Sequence, residues 1–140
     1  KHGIMMRGKI MVENFIVPED CKDGQVIEIA EKLLTFIIRN PGKLITYGDL
    51  SKQLSFPMNP RNIEQPLGRI SFACKENGLP PVSVMVVNKD TLMPGMGFFK
   101  AYCPEIKSED EQMKLCFEYI DQVNKYEHWD DVLSSFTGNR

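Results

Sequence analysis

The sequence predicts an α+β fold, and three features carry that prediction. Apolar residues recur at helical spacing over 24–39, 60–77 and 109–125, with a shorter apolar stripe at 129–136. A capping residue stands ahead of nearly every one of these runs: Asp23, then Thr46 before a short helix, then Asn59-Pro60, then Ser108. Between and around them lie short β-branched or aromatic runs, Leu44-Ile45, Ser83 to Asn88 and Gly97 to Lys100, which read as strands. At 140 residues the chain is large enough for one genuine core and too small for two.

Taken in order, Lys1-His2-Gly3 reads as a tag remnant ahead of Ile4-Met5-Met6, so one domain is expected over 4–140. Lys9 to Val17 reads as an opening strand that Pro18 ends. Asp23 then caps a helix whose apolar positions, Val26, Ile29, Ala30, Leu33, Leu34, Ile37 and Ile38, are spaced alternately by three and one. Asn40-Pro41-Gly42 stops it, because a residue before proline avoids the α region and glycine suits an exit turn. Thr46 caps the next helix, with Asp49 three residues on and Tyr47, Leu50 and Leu54 sharing a face.

After a turn at 55–58, Asn59 with Pro60 starts the third helix, whose apolar set is Ile63, Leu67, Ile70, Phe72, Ala73 and Cys74. Pro66 inside that run either kinks the helix or marks a restart after a short turn over 60–64. Asn77-Gly78 ends it, and Leu79-Pro80-Pro81 is a rigid connector. The strand Ser83 to Asn88 is expected to pair antiparallel with Gly97 to Lys100, leaving 89–97 as a wing. Ser108 with Glu111 opens a helix to Lys125, with Met113, Leu115, Cys116, Phe117, Tyr119, Ile120 and Val123 available to the core. A last short helix over 128–136 would turn Trp129, Val132, Leu133 and Phe136 inward, completing a helical extension over 103–140.

Helix, turn, helix and strand pair is the order of a winged helix-turn-helix core, here with an N-terminal strand and helix and a C-terminal helical extension. Charge agrees with such a module. Residues 39–89 hold seven positive side chains against three negative ones, a balance of +4, whereas 103–140 hold four against nine, a balance of −5. The net charge of −2 hides that split, which suits a protein meeting phosphates on one face, although two ordinary solvated surfaces would give it too.

Several chemistries find no support. Cys21, Cys74, Cys103 and Cys116 include no close pair, so neither zinc nor a disulfide framework is expected, and free core thiols suit a cytoplasmic protein. No apolar run reaches the roughly 18 residues of a membrane span, and no secretory leader is visible. His128 is the one histidine apart from His2 in the tag-like start, and no glycine-rich phosphate loop is present. No catalytic residue, metal or cofactor is expected.

Residues 42–97 resemble the DNA-binding domain of O6-alkylguanine-DNA alkyltransferases and alkyltransferase-like proteins. The matching pieces are Gly42-Lys43-Leu44-Ile45-Thr46-Tyr47-Gly48-Asp49-Leu50, Asn59-Pro60-Arg61 and Pro66-Leu67-Gly68-Arg69-Ile70, followed by Leu79-Pro80-Pro81 and Val86-Val87-Asn88. The family's alkyl-accepting cysteine lies in a Pro-Cys-His-Arg-Val motif. Here the corresponding segment, Pro81-Val82-Ser83-Val84-Met85, has neither thiol nor histidine, so the acceptor chemistry is not expected. The arginine that the family inserts into the duplex is also missing, since Gln65-Pro66 stands in its place.

The resemblance implies a non-catalytic, DNA-binding protein that contacts duplex DNA through helix 60–77 and the wing. Tyr47, Arg61, Asn62, Gln65, Arg69 and Lys89 are the expected contact residues. Each has a plainer role open to it. Tyr47 could pack on the third helix with its hydroxyl at the surface, Arg61 could pair with Glu64, and Arg69 with an acid from the C-terminal helix. The wing, Thr91 to Phe99, is unusually apolar for a loop. It would either cover the core or form a patch for a protein partner. That supports an alternative, a small adaptor or inhibitor of phage or mobile-element type acting on a nucleic-acid enzyme through this apolar wing or through the acidic C-terminal tail.

Overall fold

The computed structural model describes residues 15–138. It is mostly helical, with a two-stranded parallel sheet, and so α+β in the coarse sense. α1 (Gly24–Arg39) begins where Asp23 accepts a hydrogen bond from the Gln25 N–H, and it buries Val26, Ile27, Ile29, Ala30, Leu33, Leu34 and Ile37. β1 (Ile45–Thr46) leads into α2 (Tyr47–Lys52), whose cap is the Thr46 hydroxyl accepting from Asp49 N–H at 3.1 Å.

Pro66 behaves as a restart rather than a kink. A 3-10 turn covers Pro60–Ile63 under the Asn59 cap, and α3 (Glu64–Glu76) begins after it. Pro66 therefore sits in the first turn of α3, where a backbone N–H has no intrahelical acceptor to lose. Gly78 takes φ +75° just past the end of α3, and the Leu79 N–H returns to the Cys74 carbonyl at 2.8 Å.

The expected strand pair is not formed. Val82–Met85 is a buried 3-10 turn, and only Val86–Val87 is a strand, β2. It pairs parallel to β1, Ile45 with Val86 and Thr46 with Val87. Residues 97–100 are helical, within α4 (Met96–Tyr102). The reason is the aromatic spacing: Phe98 stacks on Tyr102 one turn later at 5.3 Å between ring centroids, and Phe98, Phe99 and Cys103 are all buried. A strand would have sent Phe98 and Phe99 to opposite faces.

α5 (Glu109–Lys125) starts at Ser108, which accepts from Glu111 N–H, and α6 (Trp129–Thr137) follows. α6 lies along α1, burying Trp129, Val132 and Phe136, and the Trp129 indole donates to the Val123 carbonyl at 2.9 Å. α5 contributes less than expected. Cys116 and Val123 are buried, but Met113 and Phe117 are exposed, as is Phe72 on α3.

Most of the expected opening strand, 9–17, lies outside the described residues, as does the domain start at residue 4. Its described end, Phe15 to Val17, is not a strand. Instead the Asn77 amide clasps Ile16, accepting from its N–H at 2.9 Å and donating to its carbonyl at 3.0 Å. No helix of the described residues is long and apolar enough to cross a membrane.

Candidate nucleic-acid interface

The helix start that opens at Asn59 positions most of the expected contact residues. Asn59 accepts from Arg61 N–H through its side chain (2.9 Å) and from Asn62 N–H through its carbonyl (2.8 Å). Those two backbone donors are therefore already used, and only the side chains of Arg61 and Asn62 remain to meet a ligand. Both are exposed, and so is Gln65. Along α3 the next exposed positions are Phe72, Lys75 and Glu76, two turns on from Gln65, with Gly68 and Arg69 half-buried between them on the same side.

Arg61 does not pair with Glu64. It has no ion pair among the described residues, and Glu64 points elsewhere. The Glu64 carboxylate lies against Gly95 and Gly97 at the start of α4, so closely that a Cβ at Gly97 would stand 2.6 Å from its Oε1, and one at Gly95 closer still. Glycine at both positions lets the loop backbone approach the first turn of α3.

Tyr47 differs from expectation. Its hydroxyl is not at the surface but accepts a hydrogen bond from Gly95 N–H at 2.8 Å. Burial pushes its ionisation up to about 12, with the neighbouring Glu64 carboxylate adding to the rise and the Gly95 N–H opposing it. Tyr47 is thus a brace between α2 and the loop after β2, with only part of its ring left to line a groove. That groove, open to solvent, is bounded by Tyr47, Asp49, Lys52, Pro60, Asn88 and Lys89. Lys89 is exposed at the start of the loop, and Lys52, which sequence reasoning passed over, joins it from the last turn of α2.

Arg69 stands apart from this cluster. Its Nη1 donates to the Asp20 carbonyl at 3.4 Å and its own carbonyl accepts from the Cys21 thiol at 3.4 Å. It ties α3 to the 3-10 turn Glu19–Cys21, not to an acid of the C-terminal helix.

The segment 81–85, where the resemblance would put an acceptor motif, is closed. Ser83 is buried, its N–H donates to Ser71 Oγ at 2.8 Å, and its Oγ accepts from Ser71 at 2.6 Å. Tyr102 donates to the Ser71 carbonyl from above. A pocket beside Ser83, little larger than a water molecule, is lined by Tyr47, Glu64, Leu67, Phe98 and Tyr102, with no histidine among its walls. The Ser83 hydroxyl is engaged by Ser71, and the one carboxyl group in the pocket wall, that of Glu64, lies against Gly95 and Gly97. His128 is remote in the sequence at the start of α6, where its Nδ1 lies 3.6 Å from Asp131. Asp130 and Asp131 lie in the first turn of that helix, where its dipole favours carboxylates.

No protein-family model matches the chain, nor does any curated protein or solved structure.

Proposed function

We propose that this protein is a non-catalytic DNA-binding protein that grips duplex DNA with the start of α3 and the loop after β2. The observation that carries this reading is the exposed set Arg61, Asn62 and Gln65 at one helix start, adjoined by a groove that holds Lys52 and Lys89. Arginine and lysine neutralise phosphates, whereas Asn and Gln side chains suit base edges or sugar oxygens. α2, the turn at 53–59 and the segment 60–76 supply the helix-turn-helix order. The loop 88–95 takes the place of a β-hairpin wing. On the resemblance to alkyltransferase-like proteins, this is a scaffold that has kept a DNA-facing surface without the acceptor thiol.

A salt-titrated gel shift on random duplex tests the proposal. Three neutralised phosphates predict a slope of roughly −2.7 in log affinity against log salt. Reversing charge at Arg61 and Lys89 together should flatten that slope, and reversal at Arg69, which is held on Asp20, should matter less. Absence of binding at low salt would sink the reading.

Exposed Met113 and Phe117, one turn apart on α5 in an acid-rich segment, favour a second reading. In it the protein is an adaptor whose α5 face meets a basic protein. The Arg61 and Lys89 reversals would then leave partner binding intact, and Phe117→Ala would weaken it.

A further inference from the structure

The loop after β2 displays apolar side chains that the core does not use. Leu92 is 60% exposed and Met96 61% exposed, while Pro94 between them is buried and Met93 packs against the core. Leu92 is also the one described non-glycine residue with positive φ, at 58°. Left-handed backbone is unfavourable for a branched side chain, so it persists only where the surroundings impose it. Here they do. Asn88 N–H donates to the Met93 carbonyl at 2.9 Å, and the Asn88 carbonyl accepts from Leu92 N–H at 2.8 Å, clasping the loop into a closed ring.

That ring borders the helix start on two sides. Asn88 and Lys89 share a groove with Pro60, and Gly95 and Gly97 enclose the Glu64 carboxylate. A ligand held by Arg61 and Lys89 is therefore within the loop's neighbourhood. An apolar side chain held outward beside phosphate-binding cations is how proteins kink duplex DNA, by pushing a Leu, Ile, Met or Phe between base steps.

We infer that Leu92, with Met96 supporting it, is a wedge that inserts between base pairs of duplex DNA bound at the α3 start. The inference rests on the DNA-binding reading and adds a mode to it: the duplex is unstacked and bent, and flexible pyrimidine–purine steps are preferred because they unstack most easily.

The test uses the full chain and a short duplex carrying 2-aminopurine at a central TA or CA step, with dyes on its ends. Wild type should raise the 2-aminopurine fluorescence and bring the ends closer. Leu92→Ala should lose most of both signals while keeping the wild-type salt slope, because no phosphate contact is removed. Leu92→Phe should retain them. Circular dichroism melting checks that each variant is folded, which the exposure of Leu92 favours. Salt-dependent binding without any 2-aminopurine change, or equal signals from wild type and a Leu92→Ala/Met96→Ala double variant, overturns the wedge and leaves DNA binding standing. The loop would then be surface for a protein contact. Absence of binding at low salt overturns both.

Discussion

α1 and the loop 88–96 are both rich in large apolar side chains, yet they use them in opposite ways. α1 places its stripe inside except for Ile38 in its last turn, with Ile29, Leu33 and Leu34 fully buried between α6 and α3. The loop turns Met93 and Pro94 inward but holds Leu92 and Met96 out to solvent, one of them on left-handed backbone. Apolar content therefore does not say what a segment is for. What separates the two is whether the chain can bring its apolar residues to one side. A 16-residue helix can, and a short clasped loop between Asn88 and the start of α4 cannot.

The largest effect expected from that contrast is in the core. Leu33→Ala removes a fully buried side chain from a close-packed site, and it should cost about 2–5 kcal/mol. The midpoint of a urea titration reads that loss. Leu92→Ala, with an exposed side chain and the same truncation, should move the midpoint by no more than about 0.5 kcal/mol. Equal losses at the two positions would remove the distinction between a core helix and a display loop.

pH should divide the two regions as well. Cys21 and Cys74 are both fully buried, and burial raises each thiol from its usual value near 9 to about 12. In the unfolded chain these thiols begin to lose their protons near pH 9, while the folded protein holds them until about pH 12. The unfolded state then binds fewer protons, so stability is complete below pH 9 and falls as pH rises from 9 to 12, by at most about 1.4 kcal/mol per pH unit for each thiol. The loop 88–96 has no thiol, and its one tie to a group of raised ionisation is the Gly95 N–H bond to the Tyr47 hydroxyl, so a local probe of its opening should respond to alkali only above about pH 10, where an exposed tyrosine ionises. Cys21→Ala with Cys74→Ala should make the alkaline slope of the melting temperature shallower without removing it, because Cys116 and Tyr47 are raised by burial as well. An unchanged slope would place the alkaline loss elsewhere.

Much of the α1 side of this comparison was legible in the sequence, and little of the loop side was. Asp23, Thr46, Asn59-Pro60 and Ser108 each open a helix or turn as their chemistry requires, because a cap acts on donors two or three residues away and needs no tertiary partner. The expected strand pair fails for the opposite reason. Gly97 to Lys100 is too short a window to show its period, and the residues that reveal a helix, Tyr102 and Cys103, lie just beyond it. Val84 and Met85 have strand-like composition, yet burial on every side and the Ser83–Ser71 bond hold them in a 3-10 turn. Of the residues proposed to meet DNA, Arg61, Asn62, Gln65 and Lys89 are exposed. The inward turn of the Tyr47 hydroxyl depends on Gly95, 48 residues away, which no local pattern encodes.

The smallest predicted effect is also the one whose sign separates the regions. Replacing leucine by glycine inside α1, at Leu33 or Leu34, removes buried surface and weakens the helix, so stability falls steeply. At Leu92 the same replacement loses little burial and relieves a side chain from left-handed backbone, an arrangement that costs a non-glycine residue roughly 1–2 kcal/mol. The greater freedom of glycine in the unfolded chain offsets part of that gain. Leu92→Gly should therefore leave stability unchanged or raise it by up to about 1 kcal/mol. Leu92→Ala, which keeps the Cβ, should show no gain. A fall in stability for Leu92→Gly would mean that the leucine is held by packing rather than displayed. A rise, together with loss of the unstacking signal on DNA, would mark the position as one where stability is given up for contact with a partner.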